Sequence, residues 1–260
     1  MRRRTLALLA GPLRLVARPL GRAKLISHRL VGRLVELGGN RVAVAGLRFS
    51  VDNPLITTRQ KGLLDLGTHE SGEIALVRRY LVAELPVVEL GGGIGVVSCV
   101  INRQLARAED HVVVEANPDL IPTLEVNRRL NACRFQIHHR ALAYGGEETT
   151  LAIDSFVTSR VGGAAPRRAR VRTTTLASLL DEAAFERINL VADIEGGETD
   201  LVEREGPLLA RRARMLIIET HARFAGVERT GRMLAALASL GFAEVARVRD
   251  VFAFENPALG

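Results

Sequence analysis

The glycine-rich segment 89–95 has the clearest chemical signature in the sequence. An acidic residue, Glu89, precedes three glycines at alternate positions, Gly91, Gly93 and Gly95. Apolar residues on either side predict a strand before the segment and a helix after it. In that setting Gly91 permits a tight turn and Gly93 lets the backbone approach a ligand, while Gly95 allows the helix to pack closely on the strand. The segment therefore predicts a ligand at the N-terminus of a helix.

A second carboxylate, Glu115, ends the next predicted strand, 20 residues after Gly95. A carboxylate at this position can accept hydrogen bonds from both hydroxyls of an adenosine ribose. Nicotinamide dinucleotides and other adenosine cofactors share that ribose, so Glu115 does not separate them. The glycine spacing argues against a dinucleotide, because such sites usually read Gly-x-Gly-x-x-Gly and the third glycine is missing here.

Polar residues that could handle protons follow two later predicted strands. Asp193 and Glu195 end one of these strands, and Glu219 and His221 end the other. The carboxyl ends of parallel strands meet at one edge of a sheet, so we expect both pairs to face one cleft. We predict His221 as the general base, because the ordinary histidine pKa of ~6.5 lies near neutrality. Asp193 and Glu219 are the further catalytic candidates.

Several other polar residues allow more than one interpretation. Asp193 and Glu219 could together hold Mg²⁺, but the sequence offers no evident third ligand, so no metal site is predicted. Glu198 either serves the same cleft or stabilises the first turn of a helix through the helix dipole. His69 could close over a cofactor or belong to a helix cap. The pair His138-His139 is predicted to lie on the surface at a strand end.

Strands that alternate with helices must position these residues. Apolar runs after residue 86 predict seven strands and five helices, an order typical of a mostly parallel α/β sheet with helices on both faces. A polar insertion with short strands interrupts this order at 144–175. A small hairpin at 41–56 and a helix from residue 74 are predicted before the first strand. The predicted strands are 87–90, 112–115, 135–143, 188–194, 215–219, 242–247 and 251–255, and the helices are 94–105, 118–130, 175–186, 199–209 and 230–240.

Four segments resemble the FkbM-type methyltransferases and occur in that family's order. They are VVELGGGIGVVS at 87–98, VVVEANPDLIPTLEVNRRLN at 112–131, VADIEGGETDLVEREGPLL at 191–209 and IIETH at 217–221. The Asp-x-Glu-Gly-x-Glu pattern that begins at Asp193 is the most family-specific part, and the resemblance covers about residues 65–225. The sequence departs from the family where Glu89 replaces a common Asp, Ala192 a common Lys, and Leu176-Ala177 a common Leu-Asp.

The resemblance implies a Rossmann-like class I methyltransferase fold with S-adenosyl-L-methionine as the cofactor. It implies O-methylation of a small acceptor, often a sugar, a polyketide or another secondary metabolite. It also implies that Glu89 holds the ammonium of the cofactor's methionine part and that Glu115 holds the ribose hydroxyls. Asn117, in the second of the four segments, completes the set of cofactor-binding candidates.

The positive charge of the chain is confined to its N-terminal part. The net charge is +7, yet residues 1–41 hold ten basic residues and one acid, and the other 219 residues hold 26 basic and 28 acidic residues. The chain also has no tryptophan and only two tyrosines on which nucleic-acid bases could stack. This composition argues against nucleic acid as the substrate.

The sequence suggests a basic arm with a small hairpin, residues 1–60, ahead of a methyltransferase domain, residues 61–260. An amphipathic helix in the arm would touch anionic membrane lipid or a partner, or would pack on the domain with its arginines in solvent. No apolar run is long enough to span a membrane, and the two cysteines lack a metal or disulfide pattern, so we expect a cytoplasmic protein. The apolar stripe of the helix is predicted to comprise Leu25, Ile26, Leu30, Leu34 and Leu37.

Three functions compete at this point: an O-methyltransferase, a nicotinamide-dependent oxidoreductase, and a non-catalytic, membrane-associated binding protein with the same fold. The glycine spacing and the lack of a recognisable Tyr-Lys or His-Arg catalytic set argue against the oxidoreductase. The intact glycines, Glu89 and Glu115 argue against a decayed cofactor site. Fold alone does not decide among the three.

Overall fold

The computed structural model describes residues 27–155, 158–162, 165 and 167–260. Before the glycine-rich segment, the hairpin predicted around Gly46 is present, with a tight turn in which Ala45 and Gly46 both have positive φ. One helix, over residues 58–66, was missed by the sequence analysis, although Thr57 and Gln60 form a capping box at its start. The elements are α1 (His28–Leu37), β1 (Arg41–Val44), β2 (Leu47–Ser50), α2 (Thr58–Leu66) and α3 (Ser71–Tyr80).

The remaining strands form two sheets. They are β3 (Val87–Leu90), β4 (His111–Glu115), β5 (Gln136–His139), β6 (Ala141–Leu142), β7 (Glu148–Ser155), β8 (Thr158–Val161), β9 (Arg167–Thr174), β10 (Ile188–Ala192), β11 (Ala213–Glu219), β12 (Ala243–Val248) and β13 (Val251–Glu255). The central sheet has the order β12-β13-β11-β10-β3-β4-β5, and within it β13 runs antiparallel to its neighbours. The prediction of a mostly parallel, seven-stranded α/β sheet is confirmed.

Helices cover both faces of the central sheet, as predicted. Alternate residues of each strand point to opposite faces, so one strand contributes to two cores. Val113 and Val191 cluster with residues of one pair of helices, whereas their neighbours Val112 and Leu190 cluster with residues of the opposite helices. The first pair is α4 (Val96–Asn102) and α5 (Ile121–Leu130). The opposite core contains residues of α6 (Leu176–Ala183), α7 (Glu198–Arg212) and α9 (Val227–Ser239). The short helix α8 (Ala222–Ala225) lies between α7 and α9 in the chain.

A second sheet with the order β6-β9-β7-β8 follows the central strand β5. It corresponds to the insertion expected at 144–175, but it begins earlier. The prediction of one strand over 135–143 was wrong: β5 ends at His139, and Ala141 and Leu142 pair with Thr173 and Thr174 of β9 instead. The sequence pattern continues across Arg140 while the hydrogen bonding passes from one sheet to the other.

The helix α1 packs on α2 through small residues. The leucine stripe predicted for this helix is present only in part. Leu34 packs against Val31, but Leu30 and Leu37 are each 47 % exposed. Leu25 and Ile26 lie outside the described residues. The buried side of α1 carries Val31, Gly32 and Val35. A Cβ atom on Gly32 would lie 1.6 Å from the carbonyl oxygen of Thr58, so the two backbones approach where only glycine fits.

The N-terminal elements also contribute to the core of the central sheet. Val35, Val42 and Phe49 lie in the same cluster of buried side chains as Val87 and Val113. The domain boundary at residue 60 stays a prediction. Within the described residues, no helix is both long enough and apolar enough to cross a membrane.

Candidate active site

A cavity of about 1220 Å³ opens at the carboxyl ends of the central strands. Gly91, Glu115, Asp193 and Glu219, which lie at or just beyond the ends of β3, β4, β10 and β11, all line it. The turn before α3 and part of the second sheet complete its wall. The structure thus brings the predicted glycine loop and the predicted acid–base residues together around one space.

Each glycine of the loop after β3 has a different environment. Gly91, at φ +93°, lies so close to the segment after β10 that a Cβ would be 1.8 Å from the carbonyl oxygen of Asp193. Gly95, at φ +86°, packs on α5, where a Cβ would be 2.6 Å from Leu124 Cδ1. Gly93 lines the cavity, and no atom lies within 4 Å of the position of its missing Cβ. The loop is therefore open to a ligand at Gly93.

Glu115 lines the cavity beside this loop. Its two carboxylate oxygens accept the backbone N–H groups of Gly93 at 2.7 Å and of Asn117 at 2.6 Å. Burial raises the pKa of Glu115 to about 7, against the effect of these hydrogen bonds. Asn117 itself is completely buried: its side chain accepts the N–H of Asp119 and donates to Ser159 Oγ. Asn117 therefore fixes the loop after β4 rather than facing the cavity.

Glu89 lies behind the loop, with 2 % of its surface exposed. One carboxylate oxygen accepts Ser98 Oγ at 2.9 Å, and the other lies 3.0 Å from His111 Nε2. Burial raises the pKa of Glu89 to about 8 and lowers that of His111 to about 3. Burial therefore favours the uncharged form of both groups. A direct contact between Glu89 and a ligand's ammonium would require Ser98 and His111 to release the carboxyl group.

Glu198 and His221 form a buried pair at the other side of β3. Glu198 accepts the backbone N–H groups of Ile194 at 2.8 Å and Gly196 at 2.9 Å, and lies 3.0 Å from His221 Nδ1. A carboxylate that accepts these bonds leaves Nδ1 as the donor, so the tautomer of the imidazole is fixed. From the sequence, Glu198 could serve either the cleft or the start of the helix. It does both, through its contact with His221 and through the two backbone N–H groups.

Carboxylates surround the other nitrogen of His221. Nε2 lies 3.4 Å from Asp193 Oδ1, 3.6 Å from Glu195 Oε2 and 3.9 Å from Glu219 Oε1. Burial lowers the pKa of His221, but the hydrogen bond to Glu198 and the nearby negative charges together raise it to about 9. Burial, and then the charge of Glu219, raise the pKa of Asp193. His221 thus carries a proton at neutral pH in this arrangement, unlike a histidine with an ordinary pKa.

The start of α3 and the residue before it bring two further acids to the site. Glu73, in the first turn of α3, is buried and hydrogen-bonds to Glu219, and burial raises its pKa. Glu70 has φ +55° and caps no amide with its side chain, and burial raises its pKa to about 8. His69 lines the cavity beside it. Glu73 escaped the sequence analysis because an acid in a first helical turn usually serves the helix dipole.

Arginines form the outer part of the cavity wall. Arg160 and Arg223 both stack on Phe224, with their guanidinium carbons 4.6 Å and 4.5 Å from the ring centre. The sequence analysis did not single them out, since arginines are spread along the whole chain. His138 and His139 lie outside this wall: His138 is 3.9 Å from Glu182, and His139 contacts the carbonyl of Ala116.

The strand order, the single antiparallel strand beside one edge and the glycine loop next to an acidic strand end define a Rossmann-like class I methyltransferase. The sequence matches the Methyltransferase FkbM domain over residues 79–243, and the chain therefore belongs to the FkbM methyltransferase family. It is an S-adenosylmethionine-dependent methyltransferase. A search among curated proteins gave no match.

Solved structures of other methyltransferases are similar to this chain at low sequence identity and with TM-scores below 0.5. An rRNA methylase from Streptococcus thermophilus is 10% identical, with a TM-score of 0.45, over 71% of this chain and 93% of that chain. A precorrin-6y C5,15-methyltransferase from Geobacter metallireducens is 12% identical, with a TM-score of 0.42, over 79% and 91%. Fibrillarin from Aeropyrum pernix, in complex with natively bound S-adenosyl-L-methionine, is 13% identical, with a TM-score of 0.43, over 70% and 72%.

Proposed function

We propose that this methyltransferase methylates a hydroxyl group of a small molecule, such as a sugar or another secondary metabolite. The observation that carries the proposal is the position of His221: its tautomer is fixed by Glu198, and its Nε2 lies among carboxylates at the cavity wall. Such a cluster suits an acceptor that must lose a proton. The even charge balance of residues 42–260 supports a small acceptor rather than a nucleic acid.

The residues around the glycine loop fit the donor. S-adenosylmethionine supplies a methyl group on a positively charged sulfur. The open space at Gly93 admits the donor's adenosine part, and the carboxylate of Glu115 is placed to exchange its bond with Gly93 N–H for the ribose hydroxyls. Glu89 and Asn117 act here as positioning residues, since both hold neighbouring groups of the protein. The acidic wall complements the donor's positive charges.

The acceptor side is assigned to His221, Asp193 and Glu219. The acceptor hydroxyl lies against this cluster and passes its proton to one of the carboxylates, because His221 already carries a proton. The acceptor oxygen attacks the methyl carbon in line with the breaking carbon–sulfur bond. The bonding pair stays on sulfur, which becomes neutral. The protein contributes position and proton removal, which are the two effects that such a displacement needs.

Calorimetric titration of the full chain tests the donor site. We expect S-adenosylhomocysteine to bind with micromolar affinity, and NAD to bind more weakly or not at all. Tighter binding of NAD would favour the oxidoreductase and contradict the proposal.

The variant His221→Ala tests the acceptor side, with a panel of hydroxylated sugars and secondary metabolites to find the acceptor. We expect turnover to fall by ~10²–10⁴-fold, the usual range for loss of acid–base assistance, with the affinity for S-adenosylhomocysteine nearly unchanged. A lower melting temperature with intact turnover would show that His221 only supports the strand end.

We also propose that the arm binds anionic membrane surfaces and that the protein otherwise works in the cytoplasm. Residues 1–26 hold seven basic residues and no acidic residue, which is enough charge for attraction to acidic headgroups.

A further inference from the structure

His221 Nε2 lies at the centre of an unusual set of contacts. His221 is 7 % exposed, and three carboxylate oxygens lie around Nε2 at 3.4–3.9 Å. All three distances exceed the usual 2.7–3.2 Å of an N–H···O hydrogen bond. They fall between the ~3 Å that separates neighbouring octahedral ligands and the ~4 Å that separates opposite ones when metal–ligand distances are about 2.1 Å.

Asp193 supplies an independent sign of a missing partner. Its Oδ1 is buried and has no hydrogen-bond partner among the described residues, although it is the carboxylate oxygen closest to Nε2. A buried carboxylate oxygen without a donor is costly, so such atoms are normally satisfied by an ion, a water molecule or a ligand. One oxygen each of Asp193 and Glu219 and one nitrogen of His221 lie within 4.8 Å of one another.

Glu198 holds the ring nitrogen of His221 that does not face the cluster. Histidines that bind metal ions commonly donate their other ring N–H to a carboxylate, which fixes the tautomer and strengthens the ligand nitrogen. Glu198, itself 1 % exposed, holds His221 Nδ1 in this way and is anchored by two backbone N–H groups. A cation that displaces the proton on Nε2 would therefore meet an oriented lone pair.

We propose that Asp193, Glu219 and His221 bind one divalent cation of the hard class, Mg²⁺ or Mn²⁺. Two carboxylate oxygens and one imidazole nitrogen suit such an ion and leave further positions for water or acceptor oxygens. With the ion bound, His221 would hold it through Nε2, and the ion would polarise the acceptor hydroxyl. The proton of that hydroxyl would pass to Glu195, the carboxylate of the cluster that does not bind the ion. This catalytic use of the ion rests on the proposed function. The binding of the ion does not, because it can be measured without an acceptor.

The test is a titration of the full chain with MnCl₂, followed by the paramagnetic resonance signal of free Mn²⁺. We expect one bound ion per chain, both alone and with saturating S-adenosylhomocysteine. Pulsed resonance on the bound ion should show coupling to one imidazole nitrogen. Asp193→Asn, Glu219→Gln and His221→Gln should each weaken binding at least 10-fold. Glu125→Gln, which removes an exposed acid on α5, is the matched control and should leave binding unchanged.

The proposal would be overturned by a lack of bound Mn²⁺, by bound Mn²⁺ without nitrogen coupling, or by equal binding of Mn²⁺ to the variants. Competitive displacement of Mn²⁺ by S-adenosylhomocysteine would also overturn it, because the cluster would then hold the donor's ammonium. The nitrogen coupling is read on the unaltered protein, so a variant that fails to fold does not remove the test. Failure of S-adenosylhomocysteine to bind would instead contradict the proposed function, whatever Mn²⁺ does.

Discussion

Several polar residues at this site hold other groups in place instead of facing the cavity. Glu198 accepts two backbone N–H groups and orients His221, and Glu89 is held between Ser98 and His111. Sequence motifs mark such residues as strongly as those that touch a ligand, because both kinds carry the same side chains. At the level of single residues, the structure therefore separates the carboxylates that line the cavity, such as Glu115, from those that support it.

For Glu115 we predict a loss of donor affinity. Glu115→Ala should weaken the binding of S-adenosylhomocysteine by ~1–3 kcal/mol, the usual value for hydrogen bonds to a charged group. Calorimetry measures the affinity, and a melting curve checks that the variant folds. An unchanged dissociation constant in a folded variant would remove Glu115 from the donor site.

For Glu89 we predict a pH-dependent stability. Burial raises its pKa from 4.5 to about 8, so between these values the folded protein keeps a proton that the unfolded chain has released. Its contribution to stability is therefore full below pH 4.5 and is lost as the pH rises through 8, by at most about 1.4 kcal/mol per pH unit. His111, whose pKa is lowered to about 3, acts oppositely, since its contribution is lost as the pH falls from 6.5 to 3.

The difference between the melting curves of the unaltered protein and of Glu89→Gln between pH 6.5 and 8 isolates the contribution of Glu89, because the other titrating groups are common to both. The melting temperature of the unaltered protein should fall across this range more steeply than that of Glu89→Gln, which cannot titrate there. Parallel curves would mean that Glu89 is already ionised in the folded protein.

At the scale of elements, the turn between β3 and α4 determines access to the donor site. Gly91 and Gly95 are confined by Asp193 and Leu124, whereas Gly93 faces open space. The same conformation thus packs closely at two positions and leaves open space at the third.

The variant Gly93→Leu should lose binding of S-adenosylhomocysteine, because its side chain would occupy the open space. Gly93 has φ +54°, so any side chain also costs backbone strain. Gly46→Leu is the matched control: Gly46 has φ +87° with nothing near its missing Cβ, but it lies in the β1–β2 turn. Both variants should lower the melting temperature, and only Gly93→Leu should lose the ligand. Loss of binding in both would point to strain as the cause.

The sequence predicted the central sheet well, because each buried strand has a continuous apolar run and each following loop carries polar residues. It did not predict that Ala141 and Leu142 join the second sheet, since both sheets need the same pattern there. The close approach of α1 and α2 was also missed, because it depends on Gly32 and not on an apolar stripe. The contact of Glu73 with Glu219 joins residues far apart in the sequence, which spacing alone does not show.

On the scale of the whole molecule, the basic arm and the donor site should be separable. Deletion of residues 1–26 should leave binding of S-adenosylhomocysteine unchanged and abolish salt-sensitive binding to vesicles that contain anionic lipid. The deletion stops before α1 because Val31 and Val35 are buried, so a longer cut would remove packing contacts. Co-sedimentation with vesicles at low and high salt measures the attraction. Lost donor affinity in a folded, truncated protein would make the arm part of the site.

The loop that follows Glu115 is tied to the second sheet. Asn117 donates to Ser159 of β8, and Asp119 accepts a two-pronged bond from Arg167 of β9. Ser159 and Arg160 of the same sheet also line the cavity. An acceptor that binds to this sheet and orders it would therefore also order the loop after Glu115, beside which we propose that the ribose binds. Thermodynamic linkage makes such coupling reciprocal: whatever factor the acceptor adds to donor affinity, the donor adds to acceptor affinity.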